Sequence, residues 1–287
     1  MALRAAMEAE RPLQLAGAIN AYCALLAERA GFRALYLSGA GVANASLGLP
    51  DLALTTLQDV CEDLRRLTGV TRLPVLVDAD TGWGAALMIA RAVRELERAG
   101  AAGCHLEDQV QAKRCGHRPG KALVSPEEML DRVKAAVDSR TDAAFFVVAR
   151  TDALAVEGLN ATLERAGRYV EAGADAIFVE APATLAEFRR FAEEIGAPVL
   201  ANITEFGKTP LFSVEELRTA GVRLVIYPLT AFRAMSATAE WVYATLRREG
   251  TQKALLAAMQ TRDELYEALR YHDYERQIDE IYAREKK

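Results

Sequence analysis

Histidine, cysteine and tryptophan are scarce in this chain, with three, four and two residues respectively among 287. Cys23, Cys61, Cys104 and Cys115 are widely spaced and include no CxxC pair. With so few histidines, two of them at His105 and His117, a zinc ligand set is hard to assemble. A disulfide framework is equally unsupported, so a reducing, cytoplasmic compartment is the expectation. No apolar stretch reaches the roughly 18 residues needed to span a bilayer, and the opening residues turn charged at Glu8, Glu10 and Arg11, leaving no signal-peptide core. Nor does one charge dominate: 35 basic against 40 acidic residues leave a net charge of −5. That balance carries no electrostatic footprint for nucleic acid or an anionic membrane surface. What remains is the composition of a globular protein, 51% hydrophobic and 26% charged, long enough to bury a full core without staples. No low-complexity linker or charge block divides it, and we read residues 1–287 as one domain.

Short apolar runs recur at Leu13–Ile19, Ala34–Leu37, Pro74–Val77, Gly103–Leu106, Ala144–Ala149, Ala176–Val179, Pro198–Ile203 and Val222–Tyr227. Each has strand length and is too apolar for an alternating antiparallel strand. Helical patterns lie between them, at Thr56–Leu67, Ala85–Ala99, Pro126–Val137, Leu159–Glu171 and Leu185–Ile195. Gly31, Gly69, Gly100, Gly173, Gly196 and Gly221 stand where helices close in a left-handed residue, and Asp59, Ser125 and Ser213 stand near helix starts as caps. Eight alternations predict an α/β fold, a (β/α)8 TIM-type barrel over about residues 12–230, rather than an open sheet. No GxGxxG follows the first strand, which speaks against dinucleotide binding. From about 230 to 287 the chain reads as extra C-terminal helices packing on the barrel or on a partner subunit.

In such a barrel the C-terminal strand ends share one pocket. Those ends read Ser38-Gly39, Asp78-Ala79-Asp80, Glu107-Asp108, Arg150-Thr151-Asp152, Glu180 and Asn202-Ile203-Thr204-Glu205, a series that suits a hard cation and an anionic substrate. Asp78 and Asp80, helped by Glu107 and Asp108, suit Mg²⁺. In isolation an Asp-x-Asp pair would be read as a helix cap and a loop solvator, but the barrel context reverses that preference. Arg150, ending a very apolar strand, is expected to meet a carboxylate, either a substrate's or that of Glu180. The Ser38-Gly39-Ala40-Gly41 turn offers N–H groups to an anion, and a purely tight turn is equally compatible with it.

Between Glu107 and Val124 runs a long polar stretch containing Lys113-Arg114-Cys115-Gly116-His117, the one cysteine in a basic setting. Neighbouring cations make that thiol reactive, and loops of this length are commonly functional lids. A surface loop with an incidental cysteine is the plainer reading and the less favoured one. Cys23, Cys61 and Cys104 read as packing residues and His105 as a satisfied core residue. His272 reads as solvated, and Tyr266, Tyr271 and Tyr274 as a packing stripe. Arg233 and Arg262 are ordinary helix cations on spacing alone.

The cysteine motif, Asp78-Ala79-Asp80-Thr81-Gly82 and Asn202-Ile203-Thr204-Glu205 together resemble the isocitrate lyase and phosphoenolpyruvate mutase superfamily. The likeness runs nearly end to end, through Ser46-Leu47-Gly48-Leu49-Pro50-Asp51, Pro228-Leu229-Thr230-Ala231-Phe232-Arg233 and Gln260-Thr261-Arg262. The resemblance implies a barrel with a late helix exchanged between subunits of a homotetramer, and Mg²⁺ at Asp78 and Asp80. It also implies substrate contacts from Ser38, Gly39, Ala40, Cys115, Gly116, Arg150, Glu180, Asn202, Ile203, Thr204, Arg233 and Arg262. The catalytic set is Cys115 as general acid with His117, Tyr36 (as base), Lys113 and Glu107. Ala40 departs from the family's usual glycine, and would strain the turn if the position required positive φ. The activity implied is scission of the tricarboxylate (2S,3R)-2-methylisocitrate to pyruvate and succinate, in the methylcitrate cycle of propionate catabolism. Cleavage of isocitrate is the alternative, although such enzymes are usually longer and read Lys-Lys-Cys-Gly-His at the motif. Oxaloacetate or phosphonopyruvate chemistry is disfavoured by the cysteine. A non-enzymatic barrel would leave the Asp78/Asp80 and Cys115 sets as relics.

Overall fold

The computed structural model describes residues 2–114, 116–118 and 120–285. The chain divides into two compact units, 1–232 and 233–287. In the first, every apolar run becomes a strand: β1 (Leu13–Gly17), β2 (Ala34–Leu37), β3 (Val75–Asp78), β4 (Gly103–Glu107), β5 (Phe146–Thr151), β6 (Ala176–Val179), β7 (Val199–Asn202) and β8 (Leu224–Tyr227). Each pairs in parallel with the next, and β1 pairs with β8, closing the barrel. The helices are α1 (Ala2–Ala9), α2 (Ala21–Arg29), the single turn α3 (Gly39–Gly41), α4 (Leu57–Thr68), α5 (Ala86–Arg98), α6 (Pro126–Ser139), α7 (Leu159–Glu171), α8 (Leu185–Glu194) and α9 (Val214–Thr219). The expected (β/α)8 architecture is the observed one.

Two alternating sets of strand residues build two cores, because successive side chains point to opposite faces. Leu13, Leu15, Ala34, Tyr36, Leu76, Phe146, Val148, Ala176, Phe178, Leu200, Leu224 and Ile226 fill the barrel, plugged from below by Leu3, Ala6 and Met7 of α1. Leu35, Leu37, Val75, Val77, Cys104, Leu106, Val147, Ala149, Ile177, Val179, Val199, Ala201 and Val225 point outward under the helices. Continuing the inward set toward the C-terminal ends gives Asp78 after Leu76, Arg150 after Val148, Glu180 after Phe178 and Asn202 after Leu200. The same two-residue step that fills the barrel with apolar side chains therefore delivers polar ones to its mouth.

Capping follows the expected chemistry with one shift of role. Thr56 caps α4, and Asp59 is the third helical residue closing the reciprocal box, while Ser125 and Ser213 cap α6 and α9. Gly69 departs from the left-handed reading: its φ is −72°, an ordinary helical continuation, whereas Gly31, Gly100, Gly173, Gly196 and Gly221 all have positive φ. Ala40 lies in the helical turn α3 and is absent from the positive-φ residues, so its methyl group strains nothing.

In the second unit, α10 (Thr230–Glu249), which begins just before the boundary, is followed by a 3₁₀ turn at Lys253–Ala258 and by α11 (Arg262–Leu269) and α12 (Tyr271–Glu285). Tyr266 and Tyr271 stack at 4.3 Å, whereas Tyr274, expected in the same stripe, is 64% exposed. His272 is solvated and pairs with Glu275. No helix among the described residues is long and apolar enough to cross a membrane.

Candidate active site

The mouth of the barrel is a buried ion network. Glu107 and Arg150 are register partners on β4 and β5, and Arg150 Nε lies 2.9 Å from Asp152 Oδ2 and 3.3 Å from Glu107 Oε2, with Glu180 3.9 Å from Nη2. The guanidinium also lies 4.9 Å over the Phe178 ring. Sequence reasoning offered Glu180 or a substrate as its partner; the nearest carboxylate is Asp152, two residues along. Asp78 Oδ2 accepts from the Gly39 N–H at 3.1 Å and Asp78 Oδ1 from the Asp80 N–H at 3.0 Å. The Gly39 N–H is thus committed to Asp78 and not free for an anion.

Asp80 turns back at φ 48°, and Lys113 Nζ reaches its Oδ1 at 2.5 Å and Asp51 Oδ1 at 2.7 Å. Burial and the neighbouring Asp78 charge push Asp80 up to about 7, against the pull of Lys113. Burial opposes the Asp78 charge too, yet His105, Lys113 and Arg150 hold that carboxyl well below the usual range. Burial also raises Glu107 well above an ordinary carboxyl, and neither of its oxygens accepts a hydrogen bond.

His105 is not the satisfied core residue expected. It is the register partner of Asp78, its Nε2 lies 2.8 Å from the Tyr36 hydroxyl and 3.4 Å from Asp78 Oδ1, and its Nδ1 has no partner. Burial, with Arg150 and Lys113, lowers it to about 4, so it is neutral near pH 7. Burial and the Asp78 charge raise Tyr36 well above its usual value, which keeps the phenol protonated. Asp108, expected beside the metal pair, faces outward instead: Thr151 Oγ1 (2.7 Å), the Asp152 N–H (2.9 Å) and Tyr169 (3.1 Å) all donate to it.

The loop after β4 lies over these groups. Gly116 is packed so tightly that a Cβ there would fall 2.5 Å from Arg150 Nη2 and nearer still to Glu180 Oε1. His117 Nδ1 accepts from the Lys208 N–H at 3.1 Å, which leaves Nε2 to donate to Glu180 Oε1 at 3.0 Å. Burial opposes the Glu180 charge, but Arg150 and His117 hold it below the usual range. Cys115, the proposed acid, lies outside the described residues. Cys23, Cys61 and Cys104 are buried, and burial pushes the Cys104 thiol up to about 12, as suits packing residues.

Among the described residues, Tyr36, Asp78, Asp80, Glu107, Lys113, His117, Arg150, Glu180 and Asn202 come together, with Asn202 Nδ2 3.5 Å from Glu180 Oε2. Ser38, Ile203 and Thr204 are buried at the same strand ends. Arg233 and Arg262 belong to the second unit. Asp51, His105 and Lys121 fall outside the expected site, and Asp152, named at its strand end, had been given no partner. Asp152 stood beside Arg150 in the sequence and His105 shares its strand parity with Glu107, but nothing local marks Asp51 or Lys121. No three His, Cys, Asp or Glu side chains among the described residues form a complete metal set. Asp78 and Asp80 nevertheless suit a small divalent cation, which takes oxygen ligands and keeps water. Gly39 leaves them room, since a Cβ there would meet Asp78 Oδ2 at 3.1 Å and Asp80 Oδ1 at 3.2 Å. A cavity of about 470 Å³ opens beside Asp80, between Leu52, Thr55, Trp83 and Ala112. A larger one of about 570 Å³ is lined by Thr68, Pro74, Gly100 and Phe145, away from all of this chemistry.

A closed parallel barrel with a carboxylate and arginine mouth describes a class of enzymes acting on small anions, and the chain belongs to the phosphoenolpyruvate phosphomutase family, whose pattern it matches over residues 3–247. Its similarity to named relatives is sharper. It is 60% identical over 284 residues to the 2-methylisocitrate lyase of Escherichia coli, covering 99% of this chain and 96% of that one. It is 59% identical over 286 residues to the 2-methylisocitrate lyase of Salmonella typhimurium, covering 99% and 97%. Among solved structures it superposes on 2,3-dimethylmalate lyase with a TM-score of 0.89 at 34% identity, covering 98% and 94% of the two chains. A phosphonopyruvate hydrolase complex with oxalate and Mg²⁺ matches with a TM-score of 0.84 at 29% identity, covering 100% and 98%.

Proposed function

We propose that this chain cleaves 2-methylisocitrate to pyruvate and succinate. The observation that carries the reading is the convergence of a buried Asp78/Asp80 pair with Lys113, Arg150, Gly116 and His117 at one barrel mouth. Near full-length likeness to 2-methylisocitrate lyases supports the substrate. Asp78 and Asp80 would hold Mg²⁺, which when bound supplies Lewis acidity toward the substrate hydroxyl and its neighbouring carboxylate. The reaction removes the tertiary hydroxyl proton, turns that C–O bond into the ketone of pyruvate, and passes the C2–C3 bonding pair to the succinate fragment. That fragment leaves as a doubly charged aci-carboxylate, which needs cations and N–H or O–H donors around it. Arg150, Asn202, Thr204 and His117 would supply them, with Arg233 and Arg262 from the helical tail. Ser38, Ala40, Gly116, Glu180 and Ile203 would complete the substrate contacts, with Gly39 holding Asp78 rather than the substrate. Tyr36, a protonated phenol at rest, would accept the hydroxyl proton while passing its own to the neutral His105, whose Nε2 lies 2.8 Å from the phenol oxygen. Cys115 would then protonate the carbanion, with Lys113, His117 and Glu107 setting the electrostatics around it.

The same reading makes barrel and tail one functional unit. It makes the assembly a homotetramer with a late helix exchanged, and the setting cytoplasmic propionate catabolism. The decisive assay follows pyruvate release from 2-methylisocitrate with Mg²⁺, run beside isocitrate. Release is expected from the methylated substrate, stopping on chelation with EDTA and in Cys115→Ser. Turnover that survives Cys115→Ser would sink the role given to that thiol, and preference for isocitrate would sink the substrate.

A further inference from the structure

Lys121 stands at the far end of the loop that follows β4, yet its side chain is only 2% exposed. Its ammonium donates to the Gly116 carbonyl and to Asp152 Oδ1, both at 2.8 Å. Asp152 is fully buried and clamps Arg150, accepting from Nε at 2.9 Å and from Nη2 at 3.3 Å. Its own N–H is fixed by Asp108 Oδ1 at 2.9 Å, and Tyr169 of α7 holds Asp108 in turn at 3.1 Å. One ammonium thus ties the loop backbone to the carboxylate that orients Arg150, while the Gly116 backbone rests against the same guanidinium. Burying an ammonium is costly unless it is paired and hydrogen-bonded, and the Gly116 carbonyl could be satisfied by water in a loop held away from the barrel. The paired arrangement holds the loop at one height above the mouth.

We propose that Lys121 is a positioning residue that latches the loop backbone at Gly116 onto the Arg150–Asp152 pair. Arg150 and the Gly116 backbone are thereby set relative to one another. What the latch serves rests on the function proposed above, whereas the latch itself rests on the hydrogen bonds of Lys121. Arg150 keeps its Asp152 clamp without Lys121, so substrate binding should survive and the proton-transfer step should suffer.

The test compares wild type, Lys121→Met and Lys121→Arg as full chains in two measurements. In turnover of 2-methylisocitrate with Mg²⁺, Lys121→Met should lose at least about tenfold in kcat while KM stays within about threefold, and Lys121→Arg should recover most of kcat. In limited trypsin digestion, cleavage after Arg114, and after Lys113 beside it, should quicken by about tenfold or more in Lys121→Met, with sites outside this loop cut at wild-type rates. Cleavage after Arg114 at the wild-type rate, or a loss carried by KM alone, overturns the proposal. Faster cutting throughout the chain, with Lys121→Arg equally affected, marks a general folding role and also overturns it. A wild-type chain without turnover counts against the proposed function, while the digestion still decides the latch.

Discussion

A methyl group at position 116 would enter the space between Arg150 and Glu180, whose charged groups lie 3.9 Å apart at the ends of the neighbouring strands β5 and β6. Gly116→Ala should therefore displace the loop and cost about 100-fold in kcat/KM, measured in the pyruvate assay, with little change in the thermal midpoint because the loop is not part of either core. His105 makes a prediction about pH. Its ordinary value of 6.5 falls to about 4 in the folded chain, so between those values the unfolded chain binds a proton that the folded one refuses. The stabilising contribution is complete above pH 6.5 and is lost as pH falls toward 4, a change on the order of 3 kcal/mol. Asp80 and Glu107, whose values folding raises, act in the opposite sense over the same interval, so the His105 contribution is read as a difference: in urea denaturation with EDTA, wild type should lose stability relative to His105→Gln as pH falls from 6.5 toward 4. A variant as pH-sensitive as wild type would show that another group carries the effect.

At the scale of elements, α6 supports the loop from behind. Arg132 on that helix is buried and donates from Nη1 to the carbonyls of Glu107 at 3.0 Å and Gln109 at 2.8 Å, where β4 gives way to the loop. Arg132→Met leaves two buried acceptors unpaired and should destabilise the fold by roughly 2–4 kcal/mol, read as a lower urea midpoint, with reduced turnover. The strand ends were legible because strand parity is regular: once the apolar runs are aligned, Asp78, Arg150, Glu180 and Asn202 follow Leu76, Val148, Phe178 and Leu200 by two residues. Asp108 was misread for the same reason, since it shares its parity with Leu106, whose side chain lies under the helices. Asp51 and Lys121 were not legible. They arrive through loops whose paths depend on ion pairs to Lys113 and Asp152, and no periodicity in the sequence records those contacts.

For the whole molecule, the second unit taken by itself exposes Tyr274, Ile278, Ile281 and Tyr282 of α12 at 64, 50, 56 and 59%, an apolar stripe that water would solvate poorly. The homotetramer proposed above would cover it, and light scattering should then give a mass of roughly four times 31.3 kDa. A monomeric mass would overturn that assembly. Closure of the barrel has its own consequence for how the chain is made. Leu13 of the first strand pairs with Leu224 of the last, so during ribosomal synthesis β1 waits about 210 residues for one of its two neighbours. Through that interval the nascent sheet carries an open edge able to bind any passing extended segment. The finished barrel has no such edge, and the risk of mispairing therefore falls on the growing chain, which gives chaperones a defined window in which to shield it.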